Sequence, residues 1–224
     1  MTRSISLGRF GVVGDVHAQD ARLELLLGLY AQMNLDAVLC CGDIVDGPGD
    51  PNRCASMLQE AGCFVVRGNH DRWMAEGVLR DLPDAHLLTD LSPTVTEWLD
   101  SLPATISFKS PRGPIELAHG VGSDDMNRLR EDSYGYALEV NEAWQQLVRS
   151  KRATLIVKGH THYREVFTMQ DIIVVDGGTL LDHGPPGGVI IDLSDETYLP
   201  VDFDGSGSIA RDEVSLPKAT DQDD

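Results

Sequence analysis

A chain of 224 residues with 42% hydrophobic and 24% charged side chains is long enough to bury one substantial core, and none of its apolar runs approaches the ~20 residues of a membrane span. Its 36 acidic side chains against 18 basic ones leave a formal net charge of -18, which keeps the chain soluble and disfavours binding to nucleic-acid duplexes or anionic membranes. No basic region followed by a long apolar core opens the sequence, and Cys40, Cys41, Cys54 and Cys63 have neither zinc spacing nor a secreted-domain pattern, so a cytoplasmic protein with reduced thiols is expected.

The chain enters strand-like sequence at Ile5, and the run 7–13 predicts a strand leading into Gly14-Asp15-Val16-His17. Leu23, Leu26, Leu27 and Tyr30 recur at helical spacing within 20–33. A second strand, 37–41, ends in Gly42-Asp43-Ile44-Val45-Asp46 and holds Cys40 and Cys41 on opposite faces. Pro51 suits the first turn of a helix that runs to Ala61 and is closed by Gly62. The third strand, 63–66, delivers Gly68-Asn69-His70-Asp71. Two strand–helix–strand units in succession argue for a parallel sheet with right-handed crossovers.

A helix is expected over 72–82, and another behind Ser92-Pro93 with Trp98 and Leu99. Strands 104–108 and 115–118 flank the turn 110–113, and His119 follows the second of them. A helix over 134–151 rests on Leu138, Trp144, Leu147 and Val148. The apolar run 155–157 leads to Gly159-His160-Thr161-His162, behind which the runs 165–169, 172–175, 189–193 and 198–203 read as an antiparallel meander. Residues 1–217 are expected to form one domain, followed by a disordered acidic tail over 218–224.

Five strand ends thus carry Asp, Asn and His, and in open α/β sheets ligands gather beyond such ends. Asp15 and His17 lie two apart, as do His160 and His162, a spacing that places both side chains on one side of an extended segment. Each cluster alone also reads as a turn with a satisfied polar side chain. Together they offer seven candidate metal ligands: Asp15, His17, Asp43, Asn69, His119, His160 and His162. Oxygen and imidazole donors without thiolate suit Mn, Fe, Ni, Co or Zn, and that many ligands suit two ions sharing a carboxylate, a standard device of phosphoryl chemistry.

Asp15-x-His17, Gly42-Asp43-x-x-Asp46, Gly68-Asn69-His70-Asp71, His119-Gly120 and Gly159-His160-Thr161-His162 together resemble the signature of the calcineurin-like metallophosphoesterase superfamily. The resemblance implies an α/β fold, a four-layer α/β/β/α sandwich of two mixed sheets flanked by helices. It implies that Asp15, His17, Asp43 and His162 hold one divalent metal, with Mn or Fe foremost, and that Asp43, Asn69, His119 and His160 hold a second. It also implies that a hydroxide between the metals attacks phosphorus, that His70 is the general acid, and that Asp71 orients it. The substrate expected is a small phosphomonoester or phosphodiester, with a Ser/Thr phosphoprotein or a dinucleotide polyphosphate as alternatives.

Gly47 stands where the protein phosphatases of the superfamily carry a phosphate-gripping arginine, which weakens the phosphoprotein alternative. Arg72 is either a substitute for it or a surface helix residue. Gly177-Gly178-Thr179 resembles the small-residue turn of compact bacterial phosphodiesterases of the superfamily and is equally a simple turn. A non-catalytic scaffold on the same fold would have lost ligands or the acid histidine, and here every position is filled. Substrate choice is expected to lie in the loops 83–90 and 120–134, the second offering Arg128 and Arg130. The segment 202–213 fits the spacing of an EF-hand loop, but its flanks do not read as helices, so a strand ending in a turn is expected.

Overall fold

The computed structural model describes residues 2–204 and 207–218. The extended sequence from Ile5 to Val13, read above as one strand, is two strands in two sheets: β1 (Thr2–Ser6) and β2 (Arg9–Val13). β2, β3 (Ala37–Cys40) and β4 (Phe64–Val65) run parallel, as the repeated strand–helix pattern requires. The connecting helices are α1 (Asp20–Tyr30) and α2 (Pro51–Glu60). Helix α2 starts where the sequence predicts: Asp50 accepts the N–H groups of Asn52 and Arg53, and Pro51 takes the first turn, where its missing N–H costs nothing.

Helix α3 (Asn69–Ala75) begins three residues earlier than expected and is shorter. Asp71 starts it, because its carboxylate accepts the Gly68 N–H at 2.9 Å, and Gly77, with φ +71, closes it. Helix α4 (Pro93–Ser101) is capped by Ser92, and the hairpin β5 (Thr105–Lys109) and β6 (Ile115–Ala118) follows. The long helix predicted over 134–151 breaks into α5 (Tyr136–Glu139) and α6 (Glu142–Ser150). Asn141 is the reason: its side chain accepts the Trp144 N–H and starts a new helix inside the old periodicity.

The expected meander is instead divided between the sheets. β8 (Arg164–Met169) and β9 (Ile172–Gly177) form a hairpin, and β9 also lies parallel to β7 (Leu155–Lys158). β10 (Gly187–Asp192) then crosses to pair antiparallel with β2, followed by β11 (Thr197–Asp204), β12 (Gly207–Ala210) and the short β13 (Val214–Ser215). One sheet has the order β1-β5-β6-β7-β9-β8; the other is β12-β11-β10-β2-β3-β4, with β13 beside β11. The segment 202–213 is therefore hairpin rather than helix–loop–helix, and Asp202 is held by Arg164 and Arg211. Of the tail expected over 218–224, residues 219–224 lie outside the described residues.

Three apolar clusters separate four layers. Leu23, Leu26, Leu58 and Leu99 of the helices pack on Val13 and Cys40. Between the sheets, Phe10, Val12, Leu39 and Cys41 face Phe108, Leu117, Val157 and Val175. Trp144 and Leu147 of α6 cover Ile156, Phe167 and Val174 on the far side. Adjacent Cys40 and Cys41 fall in different clusters, the period of two that a strand imposes.

The crossing from β9 to β10 lies against the exit of β2, where Asp15 N donates to Gly178 O at 2.9 Å and Leu180 N to Asp15 O at 2.9 Å. This approach needs Gly14, since a Cβ there would meet Gly178 O at 2.1 Å. Gly14→Ala should cost about 2–3 kcal/mol in urea unfolding through overpacking. Gly28→Ala, in helix α1 with open space around its Cβ, should gain about 0.5–1 kcal/mol. Equal effects at the two sites would contradict the close-approach argument.

Candidate metal centre

The structure brings all seven candidate ligands to one end of the seam between the sheets. Asp15, Asp43 and Asn69 stand at the ends of β2, β3 and β4; His119, His160 and His162 follow β6 and β7. His17, Asp43, Asp46, His160 and His162 all have positive φ, between 46° and 70°. The pairs Asp15/His17 and His160/His162 are thus brought in by left-handed loop residues and not by strand alternation as expected. Such backbone costs of order 1–3 kcal/mol per residue and persists where the surroundings over-determine it, typically at functional sites.

Asp15, His17, Asp43 and His162 each place a ligand atom within 4.8 Å of the others. His17 Nε2 lies 3.1 Å from His162 Nε2 and 3.8 Å from Asp43 Oδ2, and His162 Nε2 lies 3.1 Å from Asp15 Oδ2. A second group shares Asp43. His119 Nε2 is 3.4 Å from Asp43 Oδ2 and 2.9 Å from Asn69 Oδ1, which is also 2.9 Å from His160 Nδ1. His160 Nε2 is buried without a partner.

Backbone carbonyls fix two imidazoles. His17 Nδ1 donates to Asp46 O at 2.8 Å, and His119 Nδ1 to Cys41 O at 2.7 Å. A carbonyl only accepts, so the proton of each neutral ring sits on Nδ1 and the Nε2 lone pair is turned into the cluster. There the His17 Nε2 faces His162 Nε2 and the His119 Nε2 faces Asn69 Oδ1 and Asp43 Oδ2, the positions from which both rings would reach a shared cation. Burial alone would lower the pKa of His119, but the charges of Asp43 and Asp15 outweigh it and hold the ring at about 10. Burial pushes His160 down to about 4, helped by His119. Burial opposes ionisation of Asp43 too, yet His119, His17 and His70 keep its carboxyl below the usual range. Two buried carboxylates surrounded by imidazoles and fixed N–H groups fit divalent metals well.

His70 stands beside this cluster, its ring 5.0 Å from that of His17. Its orienting carboxylate is Asp46 and not Asp71. His70 Nδ1 is 2.7 Å from Asp46 Oδ2, while Asp46 Oδ1 accepts the His86 N–H at 2.9 Å. Asp71 is turned away because its oxygens accept the backbone N–H groups of Ile44 at 2.7 Å and Gly68 at 2.9 Å. Burial disfavours a charged His70, but the bond to Asp46 and the charge of Asp43 raise its pKa. Burial and the neighbouring Asp43 push Asp71 up to about 6.

His86, His183 and the Lys158–Asp176 pair, not singled out in the sequence, complete the site beside residues that were. His86 and His183 join the other five histidines: His86 Nδ1 accepts from Asp46 N, and the His183 ring stacks 6.2 Å from that of His162. Thr179 Oγ1 donates to Asp15 O at 3.1 Å, so the Gly177-Gly178-Thr179 turn supports the first ligand. Fully buried Lys158 pairs with Asp176, which also accepts from Thr161 Oγ1 at 2.7 Å and Gly178 N at 3.0 Å. That network ties the His160–His162 loop to the end of β9, and only a lysine within an apolar run hinted at it. Arg72 is held bidentate by Asp125 at 2.6 and 3.0 Å, and Arg130 by Glu165.

A family model of the calcineurin-like phosphoesterases matches residues 8–171, and the chain belongs to that family. That family uses divalent metals, and the Asp15, His17, Asp43 and His162 cluster offers donors for one. An uncharacterized protein of Methanocaldococcus jannaschii is 32% identical over 60 residues, covering 27% of this chain but only 25% of that relative. A hypothetical protein of Pyrococcus horikoshii shares the fold with a TM-score of 0.71 at 14% identity, over 92% of this chain and 90% of that one. A candidate diadenosine tetraphosphatase shares it with a TM-score of 0.58 at 21% identity, over 94% and 96%.

The buried pair beneath the histidine loop is open to direct test. Asp176→Ala leaves the Lys158 ammonium uncompensated and should cost about 3–5 kcal/mol in urea unfolding. The apolar double variant Lys158→Met/Asp176→Leu should recover most of that loss. A single-variant cost under about 1 kcal/mol would contradict the pairing.

Proposed function

We propose that this chain hydrolyses a small phosphomonoester or phosphodiester at a centre of two divalent metals, Mn or Fe before Zn, Ni or Co. Asp15, His17, Asp43 and His162 would hold one ion, and Asp43, Asn69, His119 and His160 the other. The observation that carries this reading is the convergence of the carbonyl-fixed imidazoles of His17 and His119 on Asp15, Asp43 and Asn69. When bound, such ions supply Lewis acidity that activates water at neutral pH and offsets phosphate charge.

The chain's own residues account for the departure of the alcohol. In hydrolysis a water oxygen bonds to phosphorus, the bond to the leaving oxygen breaks, and that oxygen needs a proton. Asp46 holds the Nδ1–H of His70, so Nε2 is the nitrogen that delivers it, and the bond to Asp46 together with the charge of Asp43 favours the charged ring that a proton donor needs. His86 holds the other Asp46 oxygen and fixes this carboxylate in turn. A second reading, hydrolysis of a dinucleotide polyphosphate, draws on the likeness to the candidate diadenosine tetraphosphatase. Its leaving group differs, and the same His70 serves it.

A panel of phosphate esters with added manganese tests the reading; no turnover of any ester would overturn it. Asp43→Asn should reduce bound metal to one ion or none per chain and abolish activity, and elemental analysis finding two tightly held ions would refute the shared carboxylate. His70→Ala should lose about 10²–10⁴-fold with an alkyl or sugar leaving group and far less with p-nitrophenolate, which departs unprotonated. Equal losses with both leaving groups at full metal content would exclude the acid role.

A further inference from the structure

A cavity of about 420 Å³ opens beside the ligand cluster, bordered by His17 and His70 on the inside and by Leu82, Pro83 and Leu181 further out. Arg80 also borders it. Acidic side chains outnumber basic ones 36 to 18, and the arginines around the site are held by carboxylates: Arg72 by Asp125, Arg130 by Glu165, Arg164 by Asp202. Among the described residues Arg80 has no carboxylate at ion-pair distance, although exposed Asp84 borders the same cavity.

The Arg80 guanidinium instead lies 4.0 Å above the ring of Trp73, and Trp73 meets the His70 ring at 5.1 Å. Its Nε is buried without a hydrogen-bond partner, one of three such side-chain atoms among the described residues. Stacking fixes the plane of a guanidinium while leaving its N–H groups free, the geometry that receives a phosphate through two parallel bonds. A partly desolvated cation with unused donors is costly unless an anion comes to it.

His70 faces the leaving oxygen in the proposed reaction and borders this cavity, so the group attached to that oxygen enters it. We propose that Arg80 binds an anionic group carried by the leaving side of the substrate, and that the chain therefore acts on phosphate esters or anhydrides whose leaving group is itself a phosphate or a nucleotide. This rests on the phosphoesterase reading with His70 at the leaving oxygen. It also supplies, from another part of the chain, the phosphate-binding arginine absent at Gly47.

The test is titration calorimetry on the manganese-loaded full chain with ADP, pyrophosphate and inorganic phosphate. Arg80→Gln should weaken ADP and pyrophosphate by at least about tenfold, the scale of a charge-assisted hydrogen bond, and phosphate by less than about threefold. Arg80→Lys keeps the charge without the fork, should fall between, and serves if the glutamine variant does not fold. Equal weakening of all three ligands, no weakening of ADP, or loss confined to ADP with pyrophosphate unmoved would each overturn the proposal, as would failure of the wild type to bind ADP. Wild-type turnover of the phosphate-ester panel, measured alongside, separates the two levels: no turnover of any ester fails the phosphoesterase reading, and turnover with an unmoved ADP affinity fails this inference alone.

Discussion

Asp15 and Asp43 are buried at the ends of two adjacent parallel strands, and the architecture around them answers to that burial. A carboxylate withdrawn from water needs donors or a cation, and one without either shifts its pKa and loses its charge. Here the donors come first from the backbone: His160 N lies 3.0 Å from both Asp15 oxygens, and His70 N donates to Asp43 Oδ1 at 2.8 Å. Those bonds leave no room beside the carboxylates. A Cβ on Gly159 would sit 2.1 Å from Asp15 Oδ1, and one on Gly68 2.1 Å from Asp43 Oδ1. The glycines that open Gly-Asn-His-Asp and Gly-His-Thr-His are therefore consequences of where the charges lie.

The imidazoles answer the remaining charge, and their own orientation is set one layer further out, by carbonyls of Cys41 and Asp46. Positioning runs outward again through Asp176 and Lys158 beneath the histidine loop. The outer loops enter this hierarchy at two points, where His86 N holds the Asp46 carboxylate and the His183 ring stacks on that of His162. The wall of the cavity is drawn from residues 80–84 and 181–183. Loop positions such as Leu82, Pro83 and Leu181 can thus vary without disturbing the ligands, whereas His86 and His183 belong to both.

The convergence of the candidate ligands was legible because each strand-end cluster follows an apolar run, and alternation within the runs was visible down to the split of Cys40 from Cys41 between two cores. Other features were not. The crossing from β9 to β10 depends on Gly14 packing against Gly178, a contact between distant segments that no local pattern announces. The break at Asn141 hid inside an unbroken apolar period because a capping side chain overrode it. Asp71 looked like the partner of His70 since it is next in sequence. Yet residues adjacent in a helix do not face each other, and the carboxylate at a helix start is drawn to backbone donors. The true partner, Asp46, belongs to another loop altogether. The same holds for Arg80, whose role depends on what fails to pair with it.

One consequence concerns the order in which the molecule comes into being. Thr179 supports Asp15 across 164 residues of sequence, and His160 does so across 145. At synthesis speeds of roughly 5–20 residues per second, the first ligand waits on the order of ten to thirty seconds for its support. During that interval β2 also lacks β10, its neighbour in the finished sheet. A nascent chain can present Asp15, His17 and Asp43 early, but it cannot close either half of the site. Completion of the candidate metal centre is therefore a late event, coupled to the return of the chain to its first sheet.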